Sequence, residues 1–361
     1  MLNNISTYSV NSTIPHQSFG KDDKKKSAQI PMQQNAADEF ISGIEKIEKN
    51  RQNGNFFSKY LWSTTAALVS MTPLVGYELY NFFKTKQAKK NNNFVKVKKL
   101  NKSFKRNFPL VFAGSMALLA GLQHYFNSQN DKNYQKVKQE FKALNTETSA
   151  KLDGTFKSGY VGAFCSESQN IQINRNIMND PIARKSLKKL IKHELVHARQ
   201  FEMIARSNDG IKKLNYANII KTIENIKNDP NTINDFKKIQ NDIINDTTGK
   251  YDNKIITING NTYNFKNYIE AINILINNEN ATYNDIPIFI NEEHYKKVIE
   301  EKGSLTAAEE EKANEYYKAL TEYKEVSLIN AFNPFGSYRN NILEKEAYKE
   351  NPSWFINLFM K

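Results

Sequence analysis

Cysteine and histidine are both scarce in this chain of 361 residues, which carries one cysteine, Cys165, and five histidines. A single cysteine excludes an intrachain disulfide and a zinc site built from cysteines. It does not decide the cellular compartment, because proteins on either side of a bacterial-type membrane can carry one free thiol.

The sequence also lacks several recognisable signals. Its first residues show no basic start followed by an apolar run and a small-residue cleavage site, so they do not resemble a signal peptide. We expect residues 1–56 to form a polar, disordered tail. Neither an internal repeat nor a glycine-rich phosphate loop is present.

Acidic residues are missing from one stretch, residues 84–106, which holds ten lysines and arginines. The net charge of the whole chain is +13, so the remainder carries only +3. The stretch contains no glycine-rich readout segment, and we expect no nucleic-acid partner.

Two runs without charge flank this basic stretch, residues 60–77 and 107–126. Each is about as long as a helix that crosses a bilayer, and aromatic residues cluster at the ends. We therefore predict a transmembrane helical hairpin over residues 57–127, with the lipid bilayer as a partner. The positive-inside rule places the basic loop 84–106 in the cytoplasm and the later domain on the extracytoplasmic side of a bacterial cytoplasmic membrane. The alternative is a soluble pair of buried helices.

The rest of the chain predicts a mainly helical α+β domain. Residues 128–150 are typical of a helical linker, and the domain covers residues 151–361. Alternation over residues 171–174 indicates a strand, and Asp180 and Pro181 are typical of the start of a helix that ends near Arg206. Residues 207–335 form an insertion. It is predicted to hold helices near 211–227, 233–246, 266–277, 292–301 and 306–325, and a β-hairpin that turns at Asn259 and Gly260.

The predicted helix contains the segment HELVH, with His193, Glu194 and His197. Residues four apart share a helix face, so both imidazoles can bind one ion while Glu194 lies beside it. Zinc activates a water molecule in such sites, and Glu194 would be the general base that takes its proton. The competing interpretation is an ordinary charged helix face with two histidines at its boundary.

A catalytic zinc usually has three protein ligands. The late segment YRNNILEKEAYKE offers two carboxylates, Glu344 and Glu346, of which one is needed. Both are candidate zinc ligands on a short helix that is otherwise apolar.

HELVHARQ followed by LEKEAY resembles the gluzincin class of metallopeptidases, in particular the membrane-embedded HtpX-type and CAAX-prenyl endopeptidases. The resemblance covers about 50 residues and implies a zincin-like fold. The third ligand in those families is the first Glu of an E-x-x-A segment, which implies Glu344 with Ala347. A thermolysin-like arrangement would imply Glu346 instead. Two features depart from the pattern: Tyr348 replaces a common Asp, and 147 residues separate His197 from Glu344.

Four residues are candidates to stabilise an oxyanion: Tyr338, Arg339, Tyr348 and His294. For each, a packing or surface role is the competing interpretation. Helical rotation turns Arg199 and Gln200 partly away from the ion, which predicts packing or salt-bridge roles for them.

We therefore expect a membrane-anchored zinc-dependent metallopeptidase that hydrolyses peptide or protein substrates. One alternative is a catalytically inactive zincin-like membrane scaffold or partner-binding module. A second is a secreted-type effector whose apolar hairpin inserts into a target membrane.

Overall fold

The computed structural model describes residues 35–53, 64–156, 162–166, 168–258, 260–322 and 341–349. This part of the chain is mainly helical with a small sheet. Its helices are α1 (Ala36–Asn53), α2 (Thr64–Lys90), α3 (Phe94–Ser128), α4 (Asn130–Leu144), α5 (Arg175–Asn179), α6 (Leu187–Arg206), α7 (Gly210–Lys227), α8 (Pro230–Ile244), α9 (Phe265–Asn277), α10 (Glu293–Lys302), α11 (Ala307–Thr321) and α12 (Ile342–Lys349). Its strands are β1 (Lys151–Phe156), β2 (Gly162–Cys165), β3 (Asn170–Asn174), β4 (Ile255–Ile258) and β5 (Asn261–Asn264).

The larger sheet has three strands in the order β1-β3-β2. The central strand β3 pairs in parallel with β1 and antiparallel with β2. Its alternating residues Ile171 and Ile173 are fully buried, because successive side chains of a strand point to opposite faces and one face of β3 meets the core. The predicted strand over residues 171–174 is confirmed.

Helix α6 lies at the centre of the fold and contacts α4, α7, α10, α11, α12 and β2. Asp180 begins this region as predicted: its side chain accepts hydrogen bonds from the backbone N–H groups of Ile182 (2.8 Å) and Ala183 (3.0 Å). The first turn is a 3-10 helix, so regular α-helix begins only at Leu187. Because partners surround α6, it is buried over most of its circumference.

The predicted insertion, residues 207–335, folds as structured chain as far as it is described. Its helices α7 to α11 and its hairpin lie where the sequence places them, within a few residues. Gly260 has φ +83°, as the hairpin turn requires, and Thr306 and Glu309 form the predicted capping box. Leu214, Phe265 and Tyr295 are fully buried in the same core as α6. The segment is therefore an integral part of that core.

Residues 36–53 correct the prediction of a disordered tail over 1–56, because they form α1. Ala37 and Ile41 are buried, and the Phe40 ring meets Phe236 of α8 with ring centroids 5.7 Å apart. These apolar residues recur at helical spacing among many charged neighbours, which lower the mean hydropathy of the segment. The rest of the predicted tail lies outside the described residues.

The predicted linker 128–150 is helical in α4, which is also part of the domain. Val137 and Phe141 are buried in the main core, and the Tyr134 hydroxyl accepts a hydrogen bond from the Gly154 backbone at 2.8 Å. The segment therefore packs as a structural helix on the domain.

Helices α2 and α3 do form an antiparallel hairpin, but no helix among the described residues has both the length and the apolarity to cross a membrane. The predicted transmembrane hairpin over 57–127 and the integral-membrane localisation are therefore wrong. The physical reason is that a run without charge need not be apolar. Thr, Ser and Gly dilute the first run, and Ser, Gly, Asn and Gln dilute the second. The amino-terminal part of α3 is strongly basic. Residues 57–63 lie outside the described part.

The predicted basic loop 84–106 is also mostly helical, because only residues 91–93 separate α2 from α3. The hairpin joins the domain at its base, where the Thr65 backbone N–H and hydroxyl donate to the Asp180 carboxylate at 2.8 and 2.7 Å. Away from this base many large apolar side chains are exposed, among them Leu110 (74%) and Val95 (82%).

Candidate metal centre

Helix α6 brings the two histidines of the motif together. One helical turn separates His193 from His197, and their Nε2 atoms lie 3.2 Å apart. The side chains are buried, with 5% and 0% of their surface exposed. The two imidazoles therefore aim the same ring nitrogen at one point inside the protein.

Helix α12 supplies the third group. Asn341 caps its start by accepting a hydrogen bond from the Leu343 backbone N–H at 2.9 Å, and Leu343 and Ala347 anchor it in the core. Glu344 lies beside them, with Oε2 3.5 Å from His193 Nε2 and Oε1 3.6 Å from His197 Nε2. Its side chain is fully buried, and within the described chain neither carboxylate oxygen accepts a hydrogen bond.

His193, His197 and Glu344 together have the geometry of a metal site, since each offers a ligand atom within 4.8 Å of the other two. An ion held tetrahedrally at about 2.0 to 2.2 Å would separate its ligand atoms by about 3.3 to 3.6 Å, and the observed separations lie close to this range. A buried carboxylate without a hydrogen-bond donor costs free energy, which a neighbouring cation would offset. The residues present therefore fit a divalent cation.

The protonation of the two histidines suits this role. Burial lowers the pKa of His193 well below its usual value, and the adjacent His197 acts in the same direction. Burial also lowers the pKa of His197 to about 4, although the Glu344 carboxylate opposes the shift. At neutral pH both rings are therefore uncharged, which is the form of imidazole that binds a metal.

Glu194 follows His193 on α6, and only 1% of it is exposed. Burial raises the pKa of its carboxyl group to about 7, and the Glu344 carboxylate contributes to this rise. A carboxyl group with such a pKa can both take and return a proton at neutral pH.

Glu346 is not a member of the group, although the sequence offers it as an alternative ligand. Its Oε1 accepts a hydrogen bond from Lys312 Nζ at 2.6 Å, and its Oε2 accepts one from the Tyr316 hydroxyl at 2.5 Å. Burial acts to raise the pKa of Glu346, but these hydrogen bonds outweigh it and lower the pKa below its usual value. The two carboxylates of α12 thus meet different surroundings.

Gln200 is the residue that sequence reasoning missed. It was expected to turn away from the ion, yet it is buried and its Oε1 lies 2.9 Å from His197 Nδ1. The signal was present in the spacing, because positions 193, 197 and 200 recur at the interval of one helix face. Arg199, by contrast, forms the expected salt bridge, an exposed pair with Glu147 at 2.7 Å.

The four candidate oxyanion donors do not all lie near the His193, His197 and Glu344 group. The Tyr348 ring lies against the His193 ring, with centroids 4.9 Å apart, so it is close to the group. His294 lies on α10 and is not a member of the group. Tyr338 and Arg339 lie outside the described residues.

Strand β2 borders α6 on another side. Gly162 packs so closely on Leu190 that an added Cβ would lie 3.1 Å from the leucine side chain. Strand β2 pairs antiparallel with β3, the central strand of the sheet.

The chain matches no protein-family model, no curated protein and no solved structure. The resemblance to gluzincins and the zincin-like fold that it implies therefore remain predictions.

Proposed function

We propose that this chain is a zinc-dependent metallopeptidase. One observation carries the proposal: a fully buried Glu344 carboxylate that accepts no hydrogen bond within the described chain faces two Nε2 atoms of neutral imidazoles. The two Nε2 atoms and the carboxylate each offer an electron pair to the same point, and among the described residues no hydrogen-bond donor lies between them. A metal ion at that point would stabilise all three. Two histidines and one carboxylate suit zinc, and three protein ligands leave a position for a reactant.

The roles of the residues follow from their positions. His193, His197 and Glu344 would hold the ion, which when bound supplies a Lewis acid that polarises a carbonyl group and acidifies water. Glu194, the next residue after a ligand, would accept the proton of the attacking water and pass it to the leaving amine. Burial of Glu194 serves this exchange, because a raised pKa makes the carboxylate a stronger base toward the attacking water.

The substrate class rests on the resemblance of HELVHARQ and LEKEAY to the gluzincin class of metallopeptidases. Hydrolysis of a peptide bond is therefore the proposed reaction.

The test compares variants of the full chain for zinc content and for cleavage of a fluorogenic peptide library. Glu194→Gln should keep one zinc per chain and lose activity by about 100-fold or more, because only the proton acceptor is removed. His193→Ala should lose both zinc and activity. Arg199→Gln, on the same helix but in an exposed salt bridge, serves as the control and should keep both. Full activity in Glu194→Gln, or no zinc in the unmodified chain, would disprove the proposal.

A catalytically inactive, metal-stabilised scaffold is the second candidate. It is favoured by the burial of the whole group, since His193, Glu194, His197 and Glu344 are each at most 5% exposed. For a scaffold, zinc should raise the melting temperature of the unmodified chain and of Glu194→Gln alike, while neither cleaves any peptide. If the unmodified chain cleaves a peptide and Glu194→Gln does not, the chain is an enzyme and not a scaffold.

A further inference from the structure

The amide of Gln200 has a fixed orientation. Its Nε2 lies 3.0 Å from the Leu343 carbonyl oxygen and 3.4 Å from Glu346 Oε2, and both of these atoms are acceptors. The NH2 group must therefore point toward α12, which leaves Oε1 to face His197 Nδ1. Because Oε1 only accepts, Nδ1 carries the proton and Nε2 presents its lone pair to His193 and Glu344.

Glu346 in turn is held from α11. Lys312 and Tyr316 lie one helical turn apart on that helix and bind one carboxylate oxygen each. A continuous chain of polar contacts thus runs from α11 through Glu346 and Gln200 to His197. These contacts join helices α6, α11 and α12 around the candidate centre. Glu346, the member on α12, is two residues after Glu344.

We propose that Gln200 and Glu346 are positioning residues for the metal centre, an inference that rests on the proposed function. Gln200 fixes the tautomer and the ring orientation of His197. Glu346 fixes the amide of Gln200 and the rotation of α12, which places the Glu344 carboxylate opposite both Nε2 atoms. Hydrogen bonds to a metal ligand from residues that do not bind the metal typically contribute about 10- to 100-fold to metal affinity.

The experiment measures zinc affinity by chelator competition, the visible absorption spectrum of the Co2+-loaded chain, and the melting temperature in chelator. Gln200→Met, which keeps the length and removes the polar contacts, should weaken zinc binding by about 10- to 100-fold and change the Co2+ spectrum. Glu346→Gln, nearly isosteric, should cause a smaller change in the same direction. The double variant should lose less than the product of the two single losses, because both residues act through one chain of contacts.

Arg199→Gln is the matched control, since Arg199 adjoins Gln200 but forms an exposed salt bridge. Its zinc affinity and Co2+ spectrum should match those of the unmodified chain. If Gln200→Met and Glu346→Gln lower only the melting temperature and bind zinc as before, the two residues merely pack, and the positioning role is disproved. If the unmodified chain binds neither Zn2+ nor Co2+, the proposed function fails, and this inference fails with it.

Discussion

Helix α6 and the α2–α3 hairpin place polar and apolar side chains in opposite surroundings. On α6 the polar residues His193, Glu194 and Gln200 are buried, whereas on the hairpin apolar residues such as Leu110 and Val95 are exposed. Burying a polar group costs free energy unless a specific hydrogen-bond or ionic partner is supplied, whereas an exposed apolar side chain has no such directional requirement. The arrangement on α6 therefore requires specific neighbours from α12, and the arrangement on the hairpin does not.

The sharpest test of this difference replaces the third candidate ligand. Residues that contact a metal ligand, without binding the metal, contribute at most about 100-fold to metal affinity. Glu344→Leu should weaken zinc binding by more than this, because it removes a ligand itself. In chelator the same variant should be more stable than the unmodified chain by about 1 kcal/mol or more, since it removes a buried carboxylate without hydrogen-bond donors. Melting curves with and without zinc measure both effects.

Glu311→Leu on α11 is the control, because Glu311 is exposed. It should change neither zinc binding nor stability in chelator appreciably. A Glu344→Leu variant that is destabilised in chelator would show that the carboxylate is stabilised without a metal.

The packing contrast predicts the next largest effect. Ile191→Ala on α6 removes a fully buried side chain and should lower the free energy of unfolding by about 2 to 4 kcal/mol. Val95→Ala on the hairpin removes an 82% exposed side chain and should cost less than about 0.5 kcal/mol. Urea denaturation of the two variants measures both values. Equal losses would mean that Val95 is covered by a partner in solution.

The smallest expected effect concerns the base of the hairpin. Thr65→Val removes the hydroxyl that donates to Asp180 at 2.7 Å and should cost about 1 to 2 kcal/mol, because the acceptor is a carboxylate. Thr72→Val removes a hydroxyl that bonds to the Leu68 carbonyl on the exposed part of the same helix, and should be nearly neutral. If the two variants unfold alike, the Thr65 hydroxyl does not help to anchor the hairpin.

Local rules account for the parts of the fold that the sequence predicts well. Asp180, the alternation at Ile171 and Ile173, and the capping box at Thr306 act over a few residues, so they can be recognised without the fold. The convergence of His193 and His197 is likewise a property of one helix. The resemblance to HtpX-type endopeptidases favours Glu344, but the residues alone leave Glu344 and Glu346 open, because the choice depends on how α12 is rotated against α6.

The features that are not predicted depend on contacts between residues far apart in the sequence, or on the mean hydropathy of a whole segment. Lys312 and Tyr316 reach Glu346 from another helix, and nothing in the local sequence indicates that pairing. Helix α1 was missed because its few buried residues lie among many charges. The prediction of a transmembrane hairpin gives the basic loop and the absence of charge more weight than the small and polar residues that dilute both runs.

Helix α12 is synthesised last among the described elements, well after the helix that carries the two histidines. The ribosome makes His197 147 residues before Glu344, so a nascent polypeptide carries the paired imidazoles long before it carries their carboxylate. A product terminated inside that interval retains the recognisable motif but has no third donor to complete the cluster. Synthesis of α12 is thus the step that would complete the candidate metal site.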